Sequence, residues 1–139
     1  LDRKKRIIET MGKVQSAQTI DAIYAFVNNG RYELNTTSRE ALCSIGTERA
    51  LMLVGQLMAS GSQQLTSVTL DFICKSKGPK VRVLGELVKD KNARLRLWAI
   101  RGLAKLAPKH PEVRPLIEGA KEDRNRSVRK EAEKALASL

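Results

Sequence analysis

One motif occurs twice in the second half of this chain, about 33 residues apart, a period typical of stacked helical repeats. The first copy consists of Asp90, Asn92, Leu95, Arg96, Ala99, Gly102, Leu103 and Leu106. The second copy consists of Asp123, Asn125, Val128, Arg129, Ala132, Ala135, Leu136 and Leu139. A turn Asp, a polar cap and then apolar residues at helical spacing are typical of one helix of a repeat. The motif therefore predicts a repeating helical fold.

The rest of the chain shows the same helical spacing, interrupted by short turns. The predicted helices are Lys4–Val14, Gln18–Val27 ended by Asn28-Asn29-Gly30, a third capped by Thr37 or Ser38 and ended by Gly46, Glu48–Met58, Leu65–Ser76, Lys80–Lys89, Asn92–Leu106, an eighth with Pro115 in its first turn, and Asn125–Ser138. A β-strand competes for the Thr/Val-rich part of Leu65–Ser76 because β-branched residues favour strands. The helical neighbours on both sides favour a helix there.

The second helices of successive pairs align at their apolar positions. One aligned set is Ala41, Leu70, Ala99 and Ala132, and another is Ile45, Cys74, Leu103 and Leu136. A single hairpin cannot bury its apolar face, but a stack of hairpins can. We expect one domain over residues 1–139, and because the chain opens with Leu1 rather than Met, we expect it to be a fragment of a longer protein.

The pattern Asp–x–Asn–x–x–(Leu/Val)–Arg–x–x–Ala–x–x–(Gly/Ala)–Leu, at residues 90–103 and 123–136, resembles the HEAT-repeat family in its short, phycobilisome-lyase-type form. The resemblance covers residues 80–139 well and the rest loosely, because Ser38–Ile45 and Ser67–Cys74 lack the Asp and the Arg. It implies an all-α fold, an α-α superhelix (solenoid) of about four HEAT-like hairpins plus one extra N-terminal helix. It also implies a concave face, lined by the second helices, that binds another macromolecule. The family consists mostly of scaffolds and adaptors. A minority are chromophore lyases or alkylpurine DNA glycosylases, and neither activity has a residue-level match here.

The resemblance also implies a structural role for Arg96 and Arg129, each six residues after an Asp. Such an Arg ties adjacent turns together through the neighbouring Asp. We expect partly exposed pairs, worth about 0–1 kcal/mol each, that set the register of the repeats more than their stability.

Charge is distributed unevenly along the chain, whose formal net charge is +11. Residues 15–74 contain three basic and five acidic side chains, whereas residues 75–101 contain nine basic and two acidic ones. This asymmetry suggests an acidic partner, which could be a protein surface, nucleic acid or an anionic membrane. The alternative is a solvated face that keeps the protein in solution.

Two groups of residues are candidates for partner binding. On the seventh helix, Arg94, Trp98, Arg101 and Lys105 form one stripe directed away from the core positions. A Trp flanked by cations is typical of a binding hot spot or a base-stacking platform. The alternative is that Trp98 packs on the neighbouring repeat while the cations solvate the rim. The second group surrounds the Gly78-Pro79 turn, where backbone amides could hold phosphate or where the loop is merely solvated; it comprises Lys75, Lys77, Lys80 and Arg82.

Nothing in the sequence has catalytic or metal-binding spacing. His110 lies in a turn with no partner at a recognisable distance along the chain. Cys74 falls at a core position and Cys43 on another helical face, so we expect no disulfide and a cytoplasmic location. The longest apolar run, Ala22–Val27, is far too short for a membrane span.

We therefore predict a non-enzymatic scaffold or adaptor that uses no cofactor and binds an acidic protein surface through its basic residues. The alternative is a nucleic-acid-binding domain that contacts the phosphate backbone. Association with an anionic membrane is a weaker alternative, and the sequence leaves the oligomeric state open.

Overall fold

The computed structural model describes residues 2–13, 16–27 and 31–139. Within those ranges the helices are α1 (Asp2–Met11), α2 (Ala17–Tyr24), α3 (Tyr32–Ile45), α4 (Glu48–Gln56), α5 (Gln63–Lys75), α6 (Lys80–Leu87), α7 (Ala93–Leu106), α8 (Arg114–Gly119) and α9 (Arg126–Ala137). Short 3₁₀ turns follow α4 and flank α8. The described ranges contain no strand, so α5 resolves the strand alternative in favour of a helix. Val14 and the Asn28-Asn29-Gly30 helix end lie outside the described residues.

The helices form two layers. The odd-numbered helices α1, α3, α5, α7 and α9 pack side by side as an inner layer. Each even-numbered helix packs on the odd helix that follows it, which gives four hairpins. Because α1 packs on α3, it is the lone N-terminal helix that the sequence predicts. Buried Leu, Ile, Val and Ala side chains fill the space between the layers.

The repeated motif builds the starts of the inner helices α7 and α9. The Oδ1 atom of Asn92 accepts a hydrogen bond of 3.0 Å from the backbone N–H of Leu95, which caps α7. The backbone N–H of Asn92 in turn donates to Oδ2 of Asp90 at 2.9 Å. One repeat later, the N–H of Asn125 donates to Oδ1 of Asp123 at 2.8 Å, and Asn125 caps α9. The Asp therefore orients the cap, and the Asn satisfies the free amides of the first turn.

The predicted start of α3 at Thr37 or Ser38 is wrong, because the helix begins at Tyr32. Hydroxyl residues often start helices, but here their side chains bond back to the preceding turn. The Ser38 hydroxyl donates to the Leu34 carbonyl at 2.6 Å, and Thr36 donates to the Tyr32 carbonyl at 3.1 Å. Leu34 is fully buried, which anchors this first turn against the core.

Both cysteines are free, as predicted, and Cys43 is buried whereas Cys74 is partly buried against the core. Burial raises the pKa of the Cys43 thiol to about 12 and that of Cys74 to about 11. Of the helices in the described ranges, none combines the length and the apolar character that crossing a bilayer requires.

Candidate functional site

A groove of about 640 Å³ crosses the inner layer from α5 over α7 to α9. Each helix contributes one stripe at a spacing of three or four residues, the spacing that places side chains on one helical side. The lining residues are Gln63, Gln64, Ser67 and Leu70 from α5, Trp98, Arg101, Ala104 and Lys105 from α7, and Glu131, Lys134, Ala135 and Ser138 from α9. We call this surface the inner groove.

Trp98 lies in the floor of the inner groove and not on its rim. The expectation that its ring points away from the core is wrong, because the side chain is only 7% exposed and belongs to the apolar core. The guanidinium of Arg101 covers the indole ring, with its carbon 4.6 Å from the ring centroid. An indole ring has a large apolar surface, and burying it between neighbouring helices stabilises the fold. Packing against those helices therefore sets the position of the Trp98 ring. A ring this covered cannot stack on a base.

Carboxylates from the neighbouring helices neutralise the other predicted cations of the groove. Nε of Arg101 lies 2.8 Å from Oε1 of Glu131 on α9, and Nζ of Lys105 pairs with Asp71 on α5. The side chain of Glu131 is only 15% exposed, so this carboxylate is largely buried beside Arg101. These two pairs cross-link the three inner helices along the groove.

Arg94 lies at the edge of the inner groove, where its side chain stabilises a neighbouring turn. Its guanidinium donates to the Gly61 carbonyl and to the Thr66 hydroxyl, both at 2.9 Å, and to the Met58 carbonyl at 3.3 Å. These contacts satisfy backbone carbonyls in the turn between α4 and α5. Most of the hydrogen-bonding capacity of Arg94 is therefore already used.

The second predicted group does not join the inner groove. Arg82 lies on the outer helix α6 and forms a 3.2 Å ion pair with Glu48 on α4. Nζ of Lys80 donates to the Cys74 carbonyl at the end of α5, at 2.8 Å. Lys75 and Lys77 are exposed around the turn between α5 and α6. The structure thus divides the eight predicted residues among the inner groove, its edge at Arg94, the turn between α5 and α6, and the outer layer.

The Gly78 turn is a joint between repeats. The backbone N–H of Gly78 donates to the Ser76 hydroxyl at 3.1 Å, and that hydroxyl donates to the Cys43 carbonyl at 2.7 Å. A β-carbon at Gly78 would lie 2.0 Å from the carbonyl oxygen of Gly46, so only glycine fits this approach. The amide suggested for phosphate binding is therefore occupied by the fold itself.

Arg96 and Asp123 form the tie between repeats that the resemblance implies. Nε and Nη2 of Arg96 donate to the two carboxylate oxygens of Asp123 at 2.9 and 3.0 Å. Nη1 donates to the carbonyls of Asp90 and Lys91, both at 3.0 Å. The expectation of a partly exposed pair is wrong, because the two side chains are only 6% and 12% exposed. The hydrogen bonds from Arg96 hold the pKa of the Asp123 carboxyl below its usual value.

Sequence reasoning missed the α5 and α9 walls of the inner groove. Gln63, Gln64 and Ser67 are exposed on the α5 wall, and Lys134 is exposed on the α9 wall. The sequence signal that could have identified these walls is the helical spacing of polar residues on all three inner helices, considered together. A stripe read on α7 alone cannot show which neighbouring side chains complete it. In the described ranges, no group of three or more His, Cys, Asp or Glu side chains could hold a metal ion.

Comparison with known proteins supports the architecture. The model of a family described as HEAT repeats matches residues 56–137. No curated protein matches the chain. A solved structure, the complex of CpcE and CpcF of phycocyanin lyase from Nostoc sp. PCC7120, is similar with a TM-score of 0.52 and 15% sequence identity, over 93% of this chain and 86% of that one. At this identity the similarity concerns the fold alone, and it confirms the predicted α-solenoid of helical hairpins.

Proposed function

This chain belongs to the HEAT-repeat family, and from that premise we propose that it is a non-enzymatic scaffold or adaptor whose inner groove binds an acidic segment of a protein partner. The observation that carries the proposal is a groove lined by side chains from three successive inner helices. Its lining consists of amides, hydroxyls, small apolar groups and charges, the mixture that suits recognition of a polypeptide. The structurally similar solved chain was itself determined in a complex of two proteins.

The preference for an acidic segment follows from the cations of the groove. Lys134 forms no ion pair with the described residues, and it lies on the same wall as Glu131. Lys105 and Asp71 are about half exposed, and pairs of this kind contribute only about 0–1 kcal/mol. A partner carboxylate can therefore replace Asp71 at Lys105 at little cost, and a second one can reach Lys134. The two free thiols support a reducing compartment such as the cytoplasm for this activity.

Adding negative charge to the groove tests this function. We expect the double substitution Gln64→Glu and Ser67→Glu to abolish affinity capture of the partner from cells that make the protein, because it repels an acidic segment. The matched control is Gln56→Glu with Ser60→Glu, which adds the same charge at exposed positions outside the groove. A photo-crosslinking residue at position 67 should label an acidic partner segment, and one at position 60 should not.

Three results would count against the proposal. The groove variant and its control could capture equally, or the crosslinked segment could lack carboxylates. Alternatively, the captured partner could be nucleic acid, whose binding falls with salt at a log–log slope of about −0.9 per duplex phosphate contacted. That third result would replace the protein partner with the nucleic-acid alternative.

A further inference from the structure

Arg101 lies at the boundary between the inner groove and a second hollow in the inner layer. The second hollow has a volume of about 400 Å³ and is lined partly by residues from the starts of α7 and α9. Gln63, Trp98 and Arg101 line both cavities, so the two adjoin at these side chains. Arg101 belongs to α7, which has a neighbouring inner helix on each side, α5 and α9. Its surroundings are therefore set by described repeats on both sides.

Two contacts hold the guanidinium of Arg101 in one orientation. Its carbon lies 4.6 Å from the centroid of the Trp98 ring, which is within the range of a cation–π contact. Nε and Nη2 donate to the two carboxylate oxygens of Glu131 at 2.8 and 3.4 Å. These hydrogen bonds use the edge of the planar guanidinium, whereas the indole occupies one of its faces. The side chain is still 32% exposed, which leaves the face opposite the indole as the surface that a ligand in the groove can contact.

A guanidinium held in this way suits a neutral planar ring better than another charged group. Glu131 already balances the charge of Arg101, so a second carboxylate at the same edge would be repelled by the first. The face of a guanidinium stacks on aromatic rings, and its weak hydration makes that face easy to cover. Because Trp98 and Glu131 already fix the side chain, stacking removes little further conformational freedom.

We propose that Arg101 is a stacking platform, on whose exposed face the partner segment places a Phe, Tyr or Trp side chain. This inference rests on the proposed function, because it names the uncharged residue that the acidic segment carries among its carboxylates. Aromatic residues are enriched in protein interfaces and act as hot spots where they are buried near the centre. A nucleobase also stacks on arginine, but the carboxylate of Glu131 beside the platform repels the phosphates that accompany a base.

The test uses the 139-residue protein and fluorescein-labelled peptides that differ only in their central residue. Each is an acidic heptapeptide of Asp residues whose central residue is Phe, cyclohexylalanine or Ala. Cyclohexylalanine has the size and apolar character of Phe but lacks the π electrons of its ring. In fluorescence anisotropy titrations, we expect the Phe peptide to bind about three- to fivefold more tightly than the cyclohexylalanine peptide, as a cation–π contact requires. The Ala peptide should bind more weakly than both.

A substitution at Arg101 tests whether this side chain carries the preference. Arg101→Lys keeps the positive charge but removes the planar face, so the preference for Phe over cyclohexylalanine should disappear. Both peptides are compared on the same protein, so a general loss of stability does not produce this result. The matched control is Arg82→Lys, which changes an arginine of the outer layer that is also paired with a carboxylate, that of Glu48. This control should keep the preference.

A nuclear magnetic resonance titration of the wild-type protein locates the ring directly. The side-chain Nε–H resonance of Arg101 should move upfield with the Phe peptide, because protons that face an aromatic ring are shielded by its ring current. It should move less with the cyclohexylalanine peptide. This readout needs no variant to fold.

Two results would overturn the inference and leave the proposed function intact. One is equal affinity for the Phe and cyclohexylalanine peptides with backbone shifts in the inner groove, and the other is a preference for Phe that survives Arg101→Lys. An octa-adenylate DNA strand that moves the Arg101 resonance further upfield than the Phe peptide does would assign the platform to a nucleobase instead. Failure of all the peptides to bind, or backbone shifts confined to residues outside the groove, would contradict both the inference and the proposed function.

Discussion

Replacing Arg96 with Met should destabilise the fold by about 3 kcal/mol. The substitution keeps an apolar stem of similar length and removes the guanidinium that binds Asp123, Asp90 and Lys91. An exposed pair would cost only about 0–1 kcal/mol, and breaking a fully buried one costs about 3–5 kcal/mol. The Arg96 and Asp123 side chains are 6% and 12% exposed. The expected loss in the free energy of unfolding is therefore near the lower end of the range for buried pairs.

Urea denaturation at pH 7, followed by far-ultraviolet circular dichroism, measures this loss. Arg129→Met is the matched control, because Arg129 donates one hydrogen bond to the Asp123 carbonyl and should cost only about 1 kcal/mol. A double-mutant cycle of Arg96→Met with Asp123→Asn should give a coupling energy of about 2 kcal/mol. If Arg96→Met costs no more than Arg129→Met, or if the coupling is close to zero, the tie between repeats does not carry stability.

The same pair determines a pH dependence with a definite sign. The pKa of Asp123 is lower in the folded state than in the unfolded chain, mainly because Arg96 donates hydrogen bonds to the carboxylate. Its contribution is therefore fully present above the unfolded carboxyl pKa of about 4 and is lost as the pH falls through the lower folded pKa. Below pH 4, the free energy of unfolding should fall more steeply in the wild type than in Arg96→Met. Parallel pH profiles would contradict this assignment.

Three further predictions concern single positions. Trp98→Ala should destabilise the protein by about 3–5 kcal/mol in the same denaturation assay, since the ring is buried; a loss below 1 kcal/mol would show that the ring is exposed. Gly78→Ala should lower the melting temperature in calorimetry, because the new β-carbon would meet the Gly46 carbonyl oxygen; an unchanged melting temperature would refute the close contact. Cys43 and Cys74 should resist iodoacetamide at pH 8 until urea unfolds the chain, because thiol pKa values of about 12 and 11 leave almost no thiolate; alkylation of the native protein would contradict their burial.

Local features of the sequence predicted most of the fold. The Asp–x–Asn–x–x–(Leu/Val)–Arg motif predicted the turns and the caps, because each depends on a few neighbouring residues. The tie between repeats was implied by the resemblance to HEAT repeats. The start of α3 was missed because the Ser38 hydroxyl serves equally well as a cap or as a donor to the Leu34 carbonyl one turn back. The burial of Leu34 places the first turn of α3 against the core, so the Ser38 hydroxyl donates to the Leu34 carbonyl and does not cap the helix.

The candidate binding surface was less accessible to such reasoning. The spacing of Arg94, Trp98 and Arg101 correctly placed them on one side of α7, but helical spacing does not report which neighbouring helix covers that side. Asp71 and Glu131, which neutralise two of the predicted cations, lie 34 and 30 residues away along the chain from their partners. Whether a side chain is exposed, and whether its charge is unpaired, depends on how the helical hairpins pack on one another.

The sequence by itself determined a stack of helical hairpins, because apolar periodicity and caps act within a single turn or helix. The tertiary structure alone decided that Trp98 is buried, that the Gly78 turn joins two repeats, and that Arg101 and Lys105 pair with Glu131 and Asp71. The physical reason is that burial and pairing depend on contacts between residues about 30 positions apart. Such contacts exist only after the repeats have docked on one another.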